Sequence, residues 1–307
     1  MKIMKHTEIK WILENEFKIY PESSLENQTE IMMKYLGSPD TDLREGSLDI
    51  LTNWIMMEYY SNEKLIELAD RLADNILEGL GEKNTDTVFL RAFAALTLAT
   101  IIKFDDQCAL QNNGTKDQFL SENLVKIYFE KSIKYYKEEK DIRGYVEGKE
   151  WAHSIAHGAD LLRNFAKCRY IQKDELMILL ETVGDKITEP FEDVYGFYED
   201  LRISITVYAV FMRNLLTIEE IEMWFQKVAS TYFDESWYNH AKDIRQRNGL
   251  LNTRMFFYSF YALVKFGISK ERLRAVSYYE QNILDFREPI CKKIEEILHH
   301  MAKGFFA

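Results

Sequence analysis

The sequence predicts an all-α protein, and three observations carry this prediction. Apolar residues recur at spacings of three and four rather than two along most of the 307 residues, which is the period of an amphipathic helix. The chain contains only four prolines, so few helical segments are interrupted. Short polar or glycine-containing stretches separate the apolar segments, as they do between consecutive helices. A hydrophobic content of 47% is enough for a large core.

The apolar period divides the chain into a series of predicted helices. The clearest stripe is formed by Leu65, Leu68 and Leu72, with Ser61 as the predicted N-cap and Gly79 or Gly81 as the predicted end. A capping box, Thr217 to Glu220, marks another helix start. The predicted helices cover residues 3–19, 24–36, 41–60, 63–80, 86–104, 121–138, 150–167, 173–187, 199–215, 218–232, 235–246, 250–266 and 270–301.

Helices of about 15–20 residues joined by short turns are typical of stacked antiparallel helical hairpins. The stretch from Gly37 to Asp40, followed by Leu43 and Arg44, resembles the start of a HEAT-type repeat. The repeat period is not regular enough to align the units, so an irregular α/α array remains the alternative to a HEAT-like α-solenoid. In either arrangement we predict one all-helical domain over residues 1–307.

Composition and charge exclude several classes of partner. The 39 basic and 50 acidic residues give a net charge of −11, which repels a nucleic-acid backbone. The cysteines, Cys108, Cys168 and Cys291, are odd in number and lack a CxxC motif, as in a reducing compartment. The longest apolar runs, near 93–102 and 203–212, are half the ~20 residues that cross a bilayer. We therefore expect a cytoplasmic protein with no membrane partner.

The most informative chemical pattern lies in the predicted helix over 150–167. Glu150, His153, His157 and Asp160 follow one another at spacings of three, four and three, which places them within about 80° of one helix face. Trp151 falls on the opposite, apolar side and is predicted to pack in the core. The sequence thus gathers two imidazoles and two carboxylates on one stripe, residue types that can bind a metal, move a proton or bind a polar ligand.

Two loops are expected to contribute to this site. The loop 141–149 contains two glycines and leads directly into the histidine-bearing helix, so it can fold over the N-terminus of that helix. The loop 190–198 contains Tyr195 and Tyr198 and precedes the helix that begins at Glu199. With Tyr145 of the first loop, these tyrosines could add amphipathic contact area around a ligand.

Three chemical interpretations of the site remain open from the residues. In a metal site, His153 and His157 would form a one-turn ligand pair completed by Asp160 or Glu147. Ser154 stands where a HExxH metalloprotease has its glutamate, so a divalent metal is possible but not favoured. In an acid–base site, a histidine would move a proton, Asp160 would orient it, and Arg143 or Arg202 would hold an anionic substrate. In a binding site, the same residues would form the polar floor of a groove.

The stretch Arg143 to Leu162, RGYVEGKEWAHSIAHGADLL, resembles the central motif of an uncharacterised bacterial family, domain of unknown function two-seven-eight-five. The resemblance extends over about residues 30–230 and leaves 231–307 as a C-terminal helical extension. Members usually have an apolar or small residue where this chain has Glu150. The resemblance implies an all-helical, HEAT-like protein without naming a reaction. It also implies a common site formed by Arg143, Tyr145, Lys149, Trp151, His153, His157, Asp160, Glu199 and Arg202.

The sequence favours binding of a small-molecule, peptide or protein ligand in a concave polar site around His153, His157 and Asp160. Glu147 of the loop is included among the expected ligand-binding residues. The alternative is a hydrolase or lyase that uses the same face, with or without a divalent metal. The sequence predicts neither the identity of the ligand nor the oligomeric state.

Overall fold

A computed structural model describes residues 6–110, 117–232, 243–268 and 286–301. Within these ranges nearly all regular structure is helical, and the all-α prediction is confirmed. Most of the predicted helix 235–246 and the first part of the predicted helix 270–301 lie outside the described residues.

Twelve helices and one short hairpin are seen in the described ranges. They are α1 His6–Glu14, α2 Leu25–Tyr35, α3 Thr41–Met56, α4 Asn62–Asn75, α5 Thr87–Leu110, α6 Glu122–Glu138, β1 Tyr145–Val146, β2 Glu150–Trp151, α7 Ser154–Lys167, α8 Lys173–Thr188, α9 Glu199–Phe211, α10 Ile218–Ser230, α11 Ile244–Phe266 and α12 Arg287–Met301.

Local capping explains where several helices begin. The Ser61 hydroxyl accepts a hydrogen bond from the Lys64 amide at the start of α4, as the sequence predicts. Thr217 and Glu220 form the predicted capping box at the start of α10. A second capping box, formed by Gln172 and Glu175, begins α8.

The predicted break before residue 250 is wrong, because α11 is continuous through Gly249. A Cβ atom at this position would collide with the hydroxyl of Tyr232, which lies against the helix. The glycine is therefore needed for close packing and does not end the helix. From sequence alone the two uses of a helical glycine look the same.

The chain divides into two compact units, residues 1–170 and 171–307. In the first unit, α1, α3, α5 and α7 contact one another in that order, and α2, α4 and α6 pack against them. In the second unit, α9 packs on α11, while α8, α10 and α12 pack against these helices or one another. The single domain and the HEAT-like arrangement stay predictions.

Among the residues that the structure describes, one helical segment, residues 87–109 within α5, is long and apolar enough to be a candidate membrane span. About 72% of its most apolar window is buried inside the protein, however. Helix α5 contacts α3, α4 and α7, and a helix with neighbours on several sides is apolar around most of its circumference. These contacts explain its composition without a bilayer.

Candidate functional site

Helix α7 begins at Ser154, so the predicted helix start at residue 150 is wrong. Backbone conformation explains the difference, because Glu150 and His153 both have left-handed φ angles, +60° and +51°. Glu150 and Trp151 instead form β2, which pairs antiparallel with β1. The side chain of Glu150 accepts a hydrogen bond from the Thr41 hydroxyl at 3.1 Å. Glu150 is therefore not part of the histidine stripe of α7.

Trp151 lies on the surface of the hairpin, and the prediction that it packs in the core is wrong. Its side chain is 38% exposed and its ring meets that of Tyr145 edge-on, with centroids 5.1 Å apart. The prediction failed because a helical period was applied to a residue in a strand. The two aromatic side chains form an exposed surface next to His153, whose ring lies 4.5 Å from that of Trp151.

A fully buried arginine, Arg44 of α3, holds the hairpin in place. Its guanidinium donates to the carbonyl oxygens of Lys149 at 2.6 Å and Trp151 at 3.2 Å. It also lies over the rings of Phe89 and Phe93, 4.2 and 5.0 Å from their centroids. The hairpin is thus fixed to α3 and α5 by charge-assisted hydrogen bonds and cation–π contacts.

The segment that precedes the hairpin rests on a buried ion pair. Arg91 of α5 and Glu139 are fully buried and joined by hydrogen bonds of 2.6 and 3.0 Å. The Glu139 carboxylate also accepts from the Asp141 amide at 2.9 Å, and the Asp141 carbonyl accepts from the Ser154 hydroxyl. This network connects α5 to the first residue of α7.

Arg143 belongs to the same network. Its guanidinium donates to both carboxylate oxygens of Asp141, at 2.8 and 2.6 Å, and to the Thr85 carbonyl at 2.8 Å. These contacts engage Arg143 in positioning the loop 141–149.

The two histidines lie in contact at the start of α7. Their ring centroids are 5.6 Å apart and nearly perpendicular. His157 is 8% exposed, and its ring meets Phe93 of α5 edge-on at 5.2 Å. His153 is half-buried between Trp151 and His157. The pair is therefore lined by a helix that lies about sixty residues earlier in the chain, and only a small part of His157 meets solvent.

A group of cations follows the histidines along α7. Asp160 is buried and pairs with Arg163 at 3.0 Å. Lys167 lies one turn beyond Arg163, and Lys103 approaches from α5. Burial lowers the pKa of Lys167 to about 7, helped by the nearby Arg163 and Lys103 and opposed by Asp160. Burial and Arg163 also lower the pKa of Lys103. We call Lys103, Arg163 and Lys167 the cationic cluster.

The acids nearest in sequence to Lys103 are engaged elsewhere. Asp105 and Asp106 pair with Arg169 at 2.7 and 2.6 Å. Asp105 also accepts hydrogen bonds from the backbone amides of residues 119 and 120. Asp105 and Asp106 thus stabilise the connection between α5 and α6.

The remaining predicted site residues occupy several places. Glu147 is exposed in the turn of the hairpin, and Lys149 pairs with Asp86 at 2.7 Å. Glu199 and Arg202 begin α9 in the second unit. Glu199 is buried there, and burial raises the pKa of its carboxyl. That Glu199 and Arg202 share a site with the histidines stays a prediction.

The two tyrosines of the loop 190–198 differ sharply in exposure. Tyr195 is buried, and its hydroxyl donates to the Lys186 carbonyl at 2.9 Å. Tyr198 is exposed. Tyr195 therefore packs in the core of the second unit and offers no contact area at its surface.

Sequence reasoning missed both the supports of the site and its cations. Continuing the stripe beyond Asp160 in steps of three and four reaches Arg163 and Lys167, so this signal was present in the sequence. Lys103, Arg44 and the pairing of Arg91 with Glu139 depend on which helices pack together. No local spacing indicates them.

A family model described as Protein of unknown function (DUF2785) matches residues 76–262, which is more than half of the chain. The chain belongs to the DUF2785 family. The resemblance seen in the sequence is thereby confirmed, although the matched range begins and ends later than the expected 30–230. No curated protein and no solved structure matched the chain. The DUF2785 range contains the buried pair Arg91–Glu139, the hairpin, α7 and the cationic cluster, whereas Arg44 precedes it.

Proposed function

We propose that the first unit binds a small oxyanion-bearing molecule, one that carries a phosphate or carboxylate group, on the face shared by α5 and α7. The observation that carries this proposal is the cationic cluster. Arg163 and Lys167 lie one turn apart on α7, and Lys103 lies on α5, which packs against α7. Burial, with a contribution from the neighbouring cations, lowers the pKa of both lysines, in a protein whose net charge is −11. Such an arrangement is electrostatically unfavourable by itself, and a bound anion relieves it.

The neighbouring side chains suit a polar ligand of limited size. His157 and His153 extend the same face toward the hairpin, where Trp151 and Tyr145 expose aromatic surface. Arg163 and Lys167 lie about one turn apart on α7 and Lys103 is the single cluster member on α5, which matches a small anionic group better than an extended peptide. Of the ligand classes expected from the sequence, the small molecule is therefore preferred over a peptide or protein.

A divalent metal at His153, His157 and Asp160 is disfavoured by the same charges. Arg163 already pairs with the Asp160 carboxylate at 3.0 Å. A second cation at that carboxylate would be repelled by the guanidinium and by the nearby lysines. The metal-dependent form of the hydrolase or lyase alternative therefore has less support than a site for an anion.

The proposal is tested by titrating the purified protein calorimetrically with inorganic phosphate and, separately, with succinate. We expect binding of at least one of them, weakened about tenfold or more by Lys103→Gln, since a charge-assisted hydrogen bond contributes about 1.5–3 kcal/mol. Lys10→Gln, a change of the same kind at an exposed position of α1, is the matched control and should leave binding unchanged.

A second pair of variants separates the cluster from general charge. Arg163→Gln should weaken binding, whereas Arg71→Gln should not, because Arg71 lies on α4, outside the cationic cluster, where it pairs with Glu30. Equal binding by the unmodified protein and both cluster variants would overturn the proposal, as would the absence of binding by both anions at low ionic strength. We propose the cytoplasm as the location, in keeping with the reduced cysteines.

A further inference from the structure

The first unit has a groove between α2 and α4 that shares no residue with the cationic cluster. Its volume is about 530 Å³, which is within the range of sites that hold small molecules. Two residues of α2, three of α4 and one of α5 line the groove: Met33, Lys34, Arg71, Asp74, Asn75 and Leu90. Apolar and charged side chains therefore meet in one concave surface.

The buried part of this lining is apolar. Met33 is 3% exposed, and Leu90 is half-buried. Gly37, just after α2, allows α5 to approach closely, because a Cβ atom there would lie only 3.1 Å from Cβ of Leu90. Met33 and Leu90 thus offer a surface on which the apolar part of a ligand can pack and lose contact with water.

The side of the groove toward α2 carries an excess of positive charge. Glu30 of α2 pairs with Arg71 at 2.6 and 2.9 Å and with Lys64 at 3.7 Å. Arg71 and Lys64 also share Glu67, at 3.5 and 2.8 Å. Lys34 lies one turn after Glu30 and is exposed, and its ammonium forms no ion pair within the described ranges. Lys34 can therefore bind the carboxylate of a ligand.

The side toward α6 carries an excess of negative charge. Asp70 and Asp74 lie one turn apart on α4, and both are exposed. Oδ1 of Asp74 pairs with Lys131 of α6 at 2.5 Å, whereas Asp70 accepts a hydrogen bond from the neutral hydroxyl of Tyr128 at 2.7 Å. These contacts leave one carboxylate charge unbalanced. Oδ2 of Asp74 can still accept a hydrogen bond from the ammonium of a ligand.

We propose that this groove binds a small zwitterion with an apolar body, either an apolar amino acid or a short apolar peptide. The carboxylate of the ligand pairs with Lys34, its ammonium pairs with Asp74, and its apolar side chain packs on Met33 and Leu90. The amide of Asn75 can donate to the carboxylate or accept from the ammonium. A ligand with a single charge satisfies only one side of the groove, whereas a zwitterion satisfies both.

Ligand-observed NMR titration of the full chain with leucine and with leucyl-leucine tests this inference and separates the amino acid from the peptide. The salt concentration is about 0.1 M, so that charges more than about 10 Å apart are screened. We expect at least one of the two to bind. Its C-terminal amide and its N-acetyl derivative should each bind about threefold or more weakly, because each has lost one exposed ion pair. Glycine, which lacks the apolar side chain, should also bind more weakly.

Variants identify which protein charge meets which end of the ligand. Lys34→Gln should weaken leucine binding about threefold or more without weakening leucinamide further, because leucinamide already lacks the carboxylate that Lys34 binds. Asp74→Asn should have the same relation to N-acetylleucine. Lys10→Gln on α1 and Asp42→Asn on α3 are matched changes at exposed positions and should leave every affinity unchanged.

Three outcomes would overturn the inference. The first is that neither leucine nor leucyl-leucine binds. The second is equal binding of the zwitterion and both blocked derivatives, which would show that the two charges are not recognised. The third is leucine binding that Lys103→Gln weakens and Lys34→Gln does not, which would place the amino acid at the cationic cluster.

Discussion

At the scale of single residues, the first unit contains two charge arrangements with opposite energetics, one fully buried and one half-buried. Arg91 and Glu139 are fully buried, but they are paired and further satisfied by the carbonyls of Glu78 and Gly79 and by the Asp141 amide. Desolvation of a paired ion is offset by such contacts. The cationic cluster instead brings like charges together, so its protonated form destabilises the folded protein. Groups of charges that destabilise the folded protein in this way are typical of functional sites.

The lowered pKa of Lys167 predicts a specific pH dependence of stability. Between about pH 7 and 10.5 the unfolded chain carries a proton on this lysine that the folded protein lacks, so the free energy of unfolding rises with pH. The destabilisation is complete below about pH 7. It is relieved as the pH rises toward 10.5, the ordinary pKa of a lysine. Each pH unit contributes at most about 1.4 kcal/mol from this group.

Urea unfolding at pH 7, 8 and 9 measures this effect when the unmodified protein is compared with Lys167→Met. We expect the stability of the unmodified protein to rise relative to the variant across this interval. Lys10→Met is the control and should run parallel to the unmodified protein. A constant difference between Lys167→Met and the unmodified protein at all three pH values would contradict the lowered pKa.

At the scale of elements, helix α7 is positioned at its start and along its packed side. Its start is fixed by the left-handed conformation of His153 and by the Ser154 hydroxyl on the Asp141 carbonyl. A left-handed non-glycine residue costs about 1 kcal/mol or more and is tolerated where surrounding contacts determine it. Strain at a residue that also lines the candidate site supports the site as a functional feature.

Gly158 sets the distance between α7 and α6. A Cβ atom there would lie 2.6 Å from Cδ2 of Tyr136 and 3.2 Å from Cε1 of Tyr135, both of which are fully buried. Alanine is the better helix former, so propensity alone would make Gly158→Ala stabilising by about 0.5–1 kcal/mol. We expect overpacking to dominate and to lower the stability by about 1–3 kcal/mol.

Chemical denaturation compares Gly158→Ala with Gly196→Ala, where an added Cβ meets nothing within 4 Å. Gly196→Ala should have little effect. Because the shift of α7 would also move Arg163 and Lys167, Gly158→Ala should weaken phosphate binding. A stabilised Gly158→Ala protein would show that α6 and α7 are not in close contact at this point.

Element boundaries also mark the limit of what periodicity predicts. The starts of α4 and α10 follow from Ser61 and from the Thr217–Glu220 box, because capping is a local interaction. The start of α7 does not, because the hairpin that replaces its first turn is held by Arg44, about one hundred residues earlier. The helical spacing of Glu150 with His153 was accidental.

At the scale of the whole molecule, the net charge and the local charge of the site have opposite signs. A net charge of −11 repels a long polyanion, whereas a small anion responds mainly to charges within about 10 Å. The cationic cluster is therefore expected to discriminate by size. We expect small oxyanions to bind and nucleic acids not to bind.

Fluorescence anisotropy with labelled duplex DNA tests this selectivity at the low ionic strength used for phosphate titration. We expect no change in anisotropy at the protein concentrations used in the phosphate titration, because the negatively charged protein repels the phosphates along the whole duplex. DNA binding that phosphate displaces and Lys103→Gln abolishes would contradict the expectation and identify a polyanion as the ligand.

The sequence by itself determined the all-α class, most helix positions, several helix starts and the membership of the DUF2785 family. These properties depend on the period of apolar residues, on local capping and on a continuous motif, all of which can be recognised within one segment of the chain. The sequence also indicated that His153 and His157 lie close together, and their rings are in contact. That they form one site with Asp160 stays a prediction.

Only the tertiary structure decided which side chains from other helices lie beside the histidine-bearing face of α7. The packing of α5 against α7 brings Lys103 to Arg163 and Lys167, and the packing of α3 brings Arg44 under the hairpin. Such pairings join residues separated by tens of positions, and their energies depend on burial, which local sequence does not determine. For the same reason Lys167 is ordinary in the sequence, and its pKa is lowered only by the burial that follows when the two helices pack together.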